Sequence, residues 1–389
     1  MLEVENHETL EEFEFRADWA RKQFNEMQSD VAIRLLESAL TKGNNLQTFL
    51  NDRRKVASEL GLTLIKKGII RTVKEDDKVY EGYRDALAIG IDSSRQLPLK
   101  VLSMYYCPIT SAVVFFDGIS SKMQYDDEAP CKFFEENDIT PEEALRKTEE
   151  EMYKCEVSAI TRVSSIINRL SQHIGNKKKV LVMIDGPIVD PPNKPLYTGY
   201  IRERANAILA CKEAGALVIG CVKRLEGHHF LNFLKQDTSL SDLAAVAEGF
   251  GSDSQLIPFL FLSLRSLGSL LQTIPIEVSE HRSLIEKYKN CGIDQIYRTY
   301  LSLGGRTAPL CVEYFATKGE NVTEMWNCVC QAVRAWTMPG LSVPLPVLAA
   351  HLRCNVKRGA AEFLYRQILT RGLSWEGGAE MFRVLTGSD

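Results

Sequence analysis

Two aspartates each close an apolar run of strand length: Ile91-Asp92-Ser93-Ser94 ends a run over residues 86–92, and Ile184-Asp185-Gly186-Pro187 ends one that begins at Val180. An aspartate at that point sits at the C-terminal end of a strand, where open α/β sheets bind their ligands. Two such carboxylates on neighbouring strands make a site of hard oxygen donors for a divalent cation. Aspartate before glycine or serine is also an ordinary turn residue, so the reading depends on what else converges there. Four further positions are candidates. Glu156 lies beside the apolar face Tyr153, Val157, Ile160 and Val163 of a long helical pattern, a poor place for a solvated charge. His351 interrupts the apolar run Val347-Leu348-Ala349-Ala350, where a structural core histidine is the competing explanation. Lys223 and Arg202, from the clusters Lys223-Arg224 and Arg202-Glu203-Arg204, bring positive charge to the same sheet edge, as a phosphodiester requires. His228-His229 is a weak metal motif, because adjacent side chains point apart on any regular element.

The elements that must carry these residues follow from periodicity and punctuation. Helical spacing over about residues 9–67 predicts a helical N-terminal extension, to which we assign residues 1–80. Strands are predicted at 86–92, 99–106 and 112–117, the last two joined by a turn at Cys107-Pro108, and then a polar loop over 124–140. Thr140-Pro141-Glu142-Glu143 starts a helix that runs to about His173. The strand to Asp185, a helix at about 198–213 and a strand at 216–222 come next. The order β-β-β-α-β-α-β predicts a ribonuclease H-like mixed sheet flanked by helices, within a domain over 81–389. No glycine-rich dinucleotide turn follows the first strand, and no Walker-type loop is present. Residues 226–305 read as a mainly helical insertion packed beside the sheet, 309–315 as a returning strand, and 322–336 and 345–369 as two helices.

The 389 residues, 45% hydrophobic and 25% charged, suit a soluble α/β protein of two or three domain-sized units. A net charge of −4 argues against a general nucleic-acid coating protein but leaves room for a local basic groove. The ten cysteines show no CxxC pair and no zinc-like cluster, and read as reduced thiols in a cytoplasmic protein. An acidic start without an apolar h-region argues against secretion. The most membrane-like stretch, 256–276, holds Arg265, Gln272 and two prolines, so it reads as a buried or partner-facing segment.

Taken in order, these motifs resemble the NurA nuclease family over roughly residues 86–369. The resemblance rests on Ile91-Asp92-Ser93-Ser94, the Glu156 helix with Ala159 beyond, Ile184-Asp185-Gly186-Pro187-Ile188, Val222-Lys223, and Pro344-Leu345-Pro346 followed by Ala350-His351. Ser93 stands where the family often has glycine, and Val343 where it often has an aromatic. The resemblance implies a ribonuclease H-like core and a metal-dependent deoxyribonuclease with Mn²⁺ or Mg²⁺ held by Asp92, Glu156, Asp185 and His351. It also implies a homodimer that works with the HerA hexameric DNA translocase in end processing or antiviral defence, and a DNA substrate would meet the positive charge of Lys223 and Arg202. Two rivals remain at this point. A catalytically silent translocase adaptor would lack these ligands, and an actin-like ATPase would need a glycine-rich phosphate turn that Asp92-Ser93-Ser94-Arg95 does not supply.

Overall fold

The computed structural model describes residues 29–73, 82–101, 103–174, 179–189, 197–223, 225, 227–267, 270–279, 282–304, 307–372 and 374. The chain divides into two compact units, Met1–Glu59 and Leu60–Asp389. Of the first, residues 29–59 are described, as the opening part of helix α1 (Ser29–Lys66). The earlier part of the predicted N-terminal helical pattern lies outside the described residues.

The second unit is built on a twelve-stranded mixed sheet. Its centre is β2 (Leu87–Arg95), which pairs antiparallel with β4 (Met104–Asp117) and parallel with β7 (Val180–Asp185). Between β2 and β4 lies the short β3 (Leu99–Val101), which pairs with the start of β4. β5 (Lys122–Tyr125) and β6 (Cys131–Asn137) both pair antiparallel with β4. Helix α2 (Pro141–Ile174) then crosses to β7, and helix α3 (Tyr200–Glu213) crosses to β8 (Ala216–Val222), parallel to β7. The spatial order β6-β4-β2-β7-β8, with the meander first and the parallel strands last, is the ribonuclease H-like arrangement.

Two local expectations change. Cys107-Pro108 is not a turn but lies inside β4, where β3 pairs only as far as Tyr106 and β2 only from Ile109. A residue without an N–H is tolerated at that break in the ladder. The expected polar loop 124–140 contains β6, an edge strand whose charged and mostly exposed residues hid its pairing with β4.

Beyond β8 come α4 (His229–Gln236), α5 (Ser241–Glu248) and α6 (Asp253–Ser263), then β9 (Leu270–Thr273), β10 (Ile276–Glu277), α7 (Arg282–Lys289), β11 (Gln295–Leu301) and β12 (Leu310–Ala316). This region does more than pack beside the sheet: β9, β11 and β12 extend it past β8, and β9 in turn pairs with β1 (Ile70–Val73). The sheet-bearing unit therefore begins upstream of the expected boundary at 81. The apolar stretch from 256 is interior, with Leu256, Ile257, Leu260, Phe261 and Leu264 at most 3% exposed. Among the described residues no helix is long and apolar enough to cross a membrane.

The last elements are α8 (Val322–Ala335), α9 (Leu345–Cys354) and α10 (Arg358–Gly372). The predicted single helix 345–369 breaks at Asn355, whose backbone is extended. Each face of the sheet has its own core. Ile89, Ile91, Val182 and Ile184 pack with Val157, Ile160, Val163 and Ile208 of α2 and α3. Ala88, Leu181, Met183 and Cys221 pack with Trp326, Val329, Val333 and Val347 of α8 and α9. Burying a side chain of this size contributes roughly 1.5–3 kcal/mol, so both helical layers are firmly seated.

Candidate metal centre

Because successive strand residues alternate faces, the two cores decide where each polar side chain goes. Residue 86 just before β2 and 88 within it, 181 and 183 of β7, and 219 and 221 of β8 belong to the α8/α9 face. Continuing the alternation sends Asp92, Asp185 and Lys223 to that same face and Ser93 to the other: Asp185 ends β7, Lys223 follows β8, and Asp92 lies just past the last parallel pair, Ile91 with Ile184, although β2 runs on beyond the expected end at 92 to Arg95.

Helix α9 completes the group. At Gly90 an added Cβ would lie 1.9 Å from the carbonyl oxygen of Pro346, so only glycine lets the first turn of α9 rest on β2. The far end of α9 is tied down by Thr110 Oγ1 donating to the Cys354 carbonyl and Gln96 donating to that of Val356. Between these anchors His351 Nδ1 stands 2.8 Å from Asp92 Oδ2 and 3.5 Å from Asp185 Oδ2. Lys223 Nζ donates to Asp185 Oδ2 at 2.6 Å, and the Ser93 amide donates to Asp92 Oδ1 at 2.7 Å.

Electrostatically the two carboxylates differ. Burial pushes Asp92 up to about 6, against the pull of His351. Asp185 also suffers from burial, but His351 and Lys223 outweigh it and hold its carboxyl below the usual range. Hydrogen bonding to Asp185 and Asp92 lifts the imidazole of His351 to about 9. The ligand atoms of Asp92, Asp185 and His351 lie within 4.8 Å of one another, and among the described residues no other group of three or more His, Cys, Asp or Glu comes together in this way. Two carboxylate oxygens and one imidazole nitrogen are a donor set for a divalent metal ion.

Glu156 is brought to the same strand ends from the opposite side. It is 7% exposed, accepts from Ser93 Oγ at 2.8 Å through Oε2, and pairs with Arg204 through Oε1. It is not one of the three convergent groups. Arg202 is exposed on the first turn of α3, and Arg224 lies outside the described residues. His228 Nε2 bonds to the Gly251 carbonyl at 2.7 Å, and neither it nor His229 enters a metal-type group.

The residue that sequence reasoning underweighted is Arg204. It is 1% exposed and shares the buried face of α3 with Ile208 and Cys211, at i, i+4 and i+7. That phase is visible in the sequence and distinguishes Arg204 from its solvated neighbour Arg202.

No protein-family model and no curated protein matches the chain. Solved structures resemble it in fold. The NurA nuclease from Sulfolobus solfataricus is 12% identical, with a TM-score of 0.49 over 89% of this chain and 97% of that one. A NurA structure with manganese is 9% identical, with a TM-score of 0.42 over 83% and 95%. The catalytic domain of human endonuclease V is 9% identical, with a TM-score of 0.33 over 85% and 98%.

Proposed function

We propose that this chain is a metal-dependent deoxyribonuclease of the NurA type, which hydrolyses phosphodiester bonds with Mn²⁺ or Mg²⁺. We further propose that it acts as a cytoplasmic homodimer with a HerA-type ATP-driven translocase, in DNA end processing or antiviral defence. The observation that carries the reading is the convergence of Asp92, Asp185 and His351, from two strand ends and a helix late in the chain, within 4.8 Å.

Asp92, Asp185 and His351 hold the cation, and Glu156 completes the anionic set from the other face. When bound, the divalent ion supplies Lewis acidity to a water and to the phosphate oxygens. Lys223 supplies the fixed positive charge that a phosphodiester needs on approaching two carboxylates, and Arg202 offers a further exposed contact to its backbone. The ring of His351, with 41% of its side chain exposed, gives protons a path between this buried pair and solvent. Carboxylates as close as these keep the site poor in anion affinity until a cation is present, which makes metal and phosphate binding interdependent.

An actin-like ATPase fits less well. β2 continues as regular strand through Ser93, Ser94 and Arg95, leaving no phosphate-cradling turn after Asp92. The deciding experiment is digestion of labelled DNA with Mn²⁺ or with EDTA, with and without an ATP-driven partner, by the wild-type chain and by Asp185→Ala. Metal-dependent digestion lost in the variant is expected. A wild-type protein that leaves DNA intact in every condition would put the adaptor reading ahead of the nuclease.

A further inference from the structure

The sheet face opposite His351 holds a second polar assembly. Arg204 donates to Glu156, to the Pro187 carbonyl at 2.9 Å and to the Ile188 carbonyl at 3.4 Å. Glu313 of β12, fully buried, accepts from the amides of Ile188 and Val189 at 2.7 and 3.1 Å, and its other oxygen pairs with Arg298 of β11. The segment after Asp185 is thus gripped by its carbonyls from α3 and by its amides from β12. At Gly220 an added Cβ would lie 2.7 Å from the Gly186 carbonyl and 2.9 Å from the Ile188 amide nitrogen, so this segment also lies tightly on β8.

Buried ion pairs are a poor way to add stability, since apolar residues of the same volume do as well or better. What these pairs supply is connection. Starting at Asp92, the path runs through the adjacent Ser93, its hydroxyl to Glu156, Glu156 to Arg204, and Arg204 to the two carbonyls that follow Asp185. It links the backbones beside both carboxylates behind the sheet, through the buried side chains of Glu156 and Arg204. A link of this kind fixes the separation and direction of two side chains that repel one another.

We propose that Arg204 and Glu313 are positioning residues of the metal centre: together they brace the 186–189 turn, and Arg204 joins it to β2 through Glu156 and Ser93. The proposal rests on the metal-dependent reading of Asp92, Asp185 and His351. Outer groups that orient metal ligands are commonly worth about ten- to a hundredfold in metal affinity.

The test uses the full chain, with Mn²⁺ affinity followed by the electron paramagnetic resonance of free Mn²⁺. Amide exchange over residues 186–189 is measured in EDTA, and melting temperature is measured alongside. Arg204→Lys should weaken Mn²⁺ binding about tenfold or more and speed exchange at Ile188 and Val189. Should that variant fail to fold, the paired change Glu313→Met with Arg298→Met removes the acceptor for both amides, and with it the second grip, without leaving a buried charge alone. That pair should melt within a few degrees of wild type yet bind Mn²⁺ about tenfold more weakly, a split that loss of stability alone cannot produce. Wild-type Mn²⁺ affinity and wild-type exchange in either folded variant would overturn the brace. A wild-type protein that binds no Mn²⁺ would instead remove the metal reading beneath it, while the exchange measurement reports separately on whether the turn is held.

Discussion

Replacing Asp92 with asparagine should make the protein more stable in EDTA and unable to gain stability from Mn²⁺. The side chain keeps its shape, and asparagine Oδ1 still accepts from the Ser93 amide. What is removed is a carboxylate whose burial pushes its ionisation from the ordinary 3.8 up to about 6. That difference corresponds to on the order of 3 kcal/mol. A carboxyl that titrates higher in the folded than in the unfolded chain favours folding fully only below pH 3.8, and the contribution is lost as pH rises through about 6. At pH 8 the wild type therefore bears the whole cost, and Asp92→Asn none of it. For a unit of this size the gap in melting temperature should be about 5 °C at pH 8 and shrink towards zero near pH 4. Mn²⁺ at about a hundred times its dissociation constant adds about 2.7 kcal/mol to the wild type, so the difference closes when metal is added. Differential scanning fluorimetry across pH, with EDTA and with Mn²⁺, reads all of this. If Asp92→Asn melts below wild type at pH 8 in EDTA, or retains the Mn²⁺ response, the assignment of Asp92 as a costly, metal-holding carboxylate is refuted.

Gly90→Ala should lower the melting temperature by several degrees and reduce Mn²⁺ affinity, because its Cβ would meet the Pro346 backbone and lift α9 with His351; an unchanged calorimetric trace would contradict the close approach. His351→Gln should melt near wild type, since the ring is half-exposed, while DNA digestion falls about a hundredfold or more; a destabilised but fully active variant would make it a structural residue. Light scattering at micromolar protein should give a dimer, because α1 exposes Ile33, Leu36, Leu40, Phe49 and Leu50 by 40–60%; a monomer would remove that expectation. Arg162→Ala should erase part of the acid resistance of the fold. Asp126 is held below the usual carboxylate range chiefly by Arg162, so its contribution is present above the ordinary 3.8 and lost as pH falls further, which acid titration followed by circular dichroism would show.

The end of β7 at Asp185 was legible because it combines an apolar run, a change of period and a turn-forming tail, and β8 matched its expected bounds of 216–222, whereas β2 runs past its expected end at 92 to Arg95 because Ser93, Ser94 and Arg95 still pair with β4. β6 was not legible, since an exposed edge strand such as Cys131–Asn137 has no hydrophobic alternation to read. β9 and β11 were missed for different reasons. β9 is a short apolar piece close after an apolar helix, which periodicity alone cannot assign, and β11 buries Arg298 and Thr299, so its polar residues mask a buried strand. Glu156 was found from its place beside a buried helical face, but its partner could not be, because nothing local tells a buried arginine's target. Tertiary placement decides that, and only the phase of Arg204 with Ile208 and Cys211 hinted at it.

The imidazole reaches its carboxylate across 259 positions of chain. A fragment that stops before α9 can form β2, β7 and both aspartates, yet it holds them without the ring that bonds to each. The centre is therefore a late product of synthesis, closed only after most of the sheet exists and after the slowest kind of contact, one between distant parts of the chain, has formed. A nick in the segment between α8 and α9 would leave His351 held at the centre by the contacts of α9 itself, at Gly90, Thr110 and Gln96.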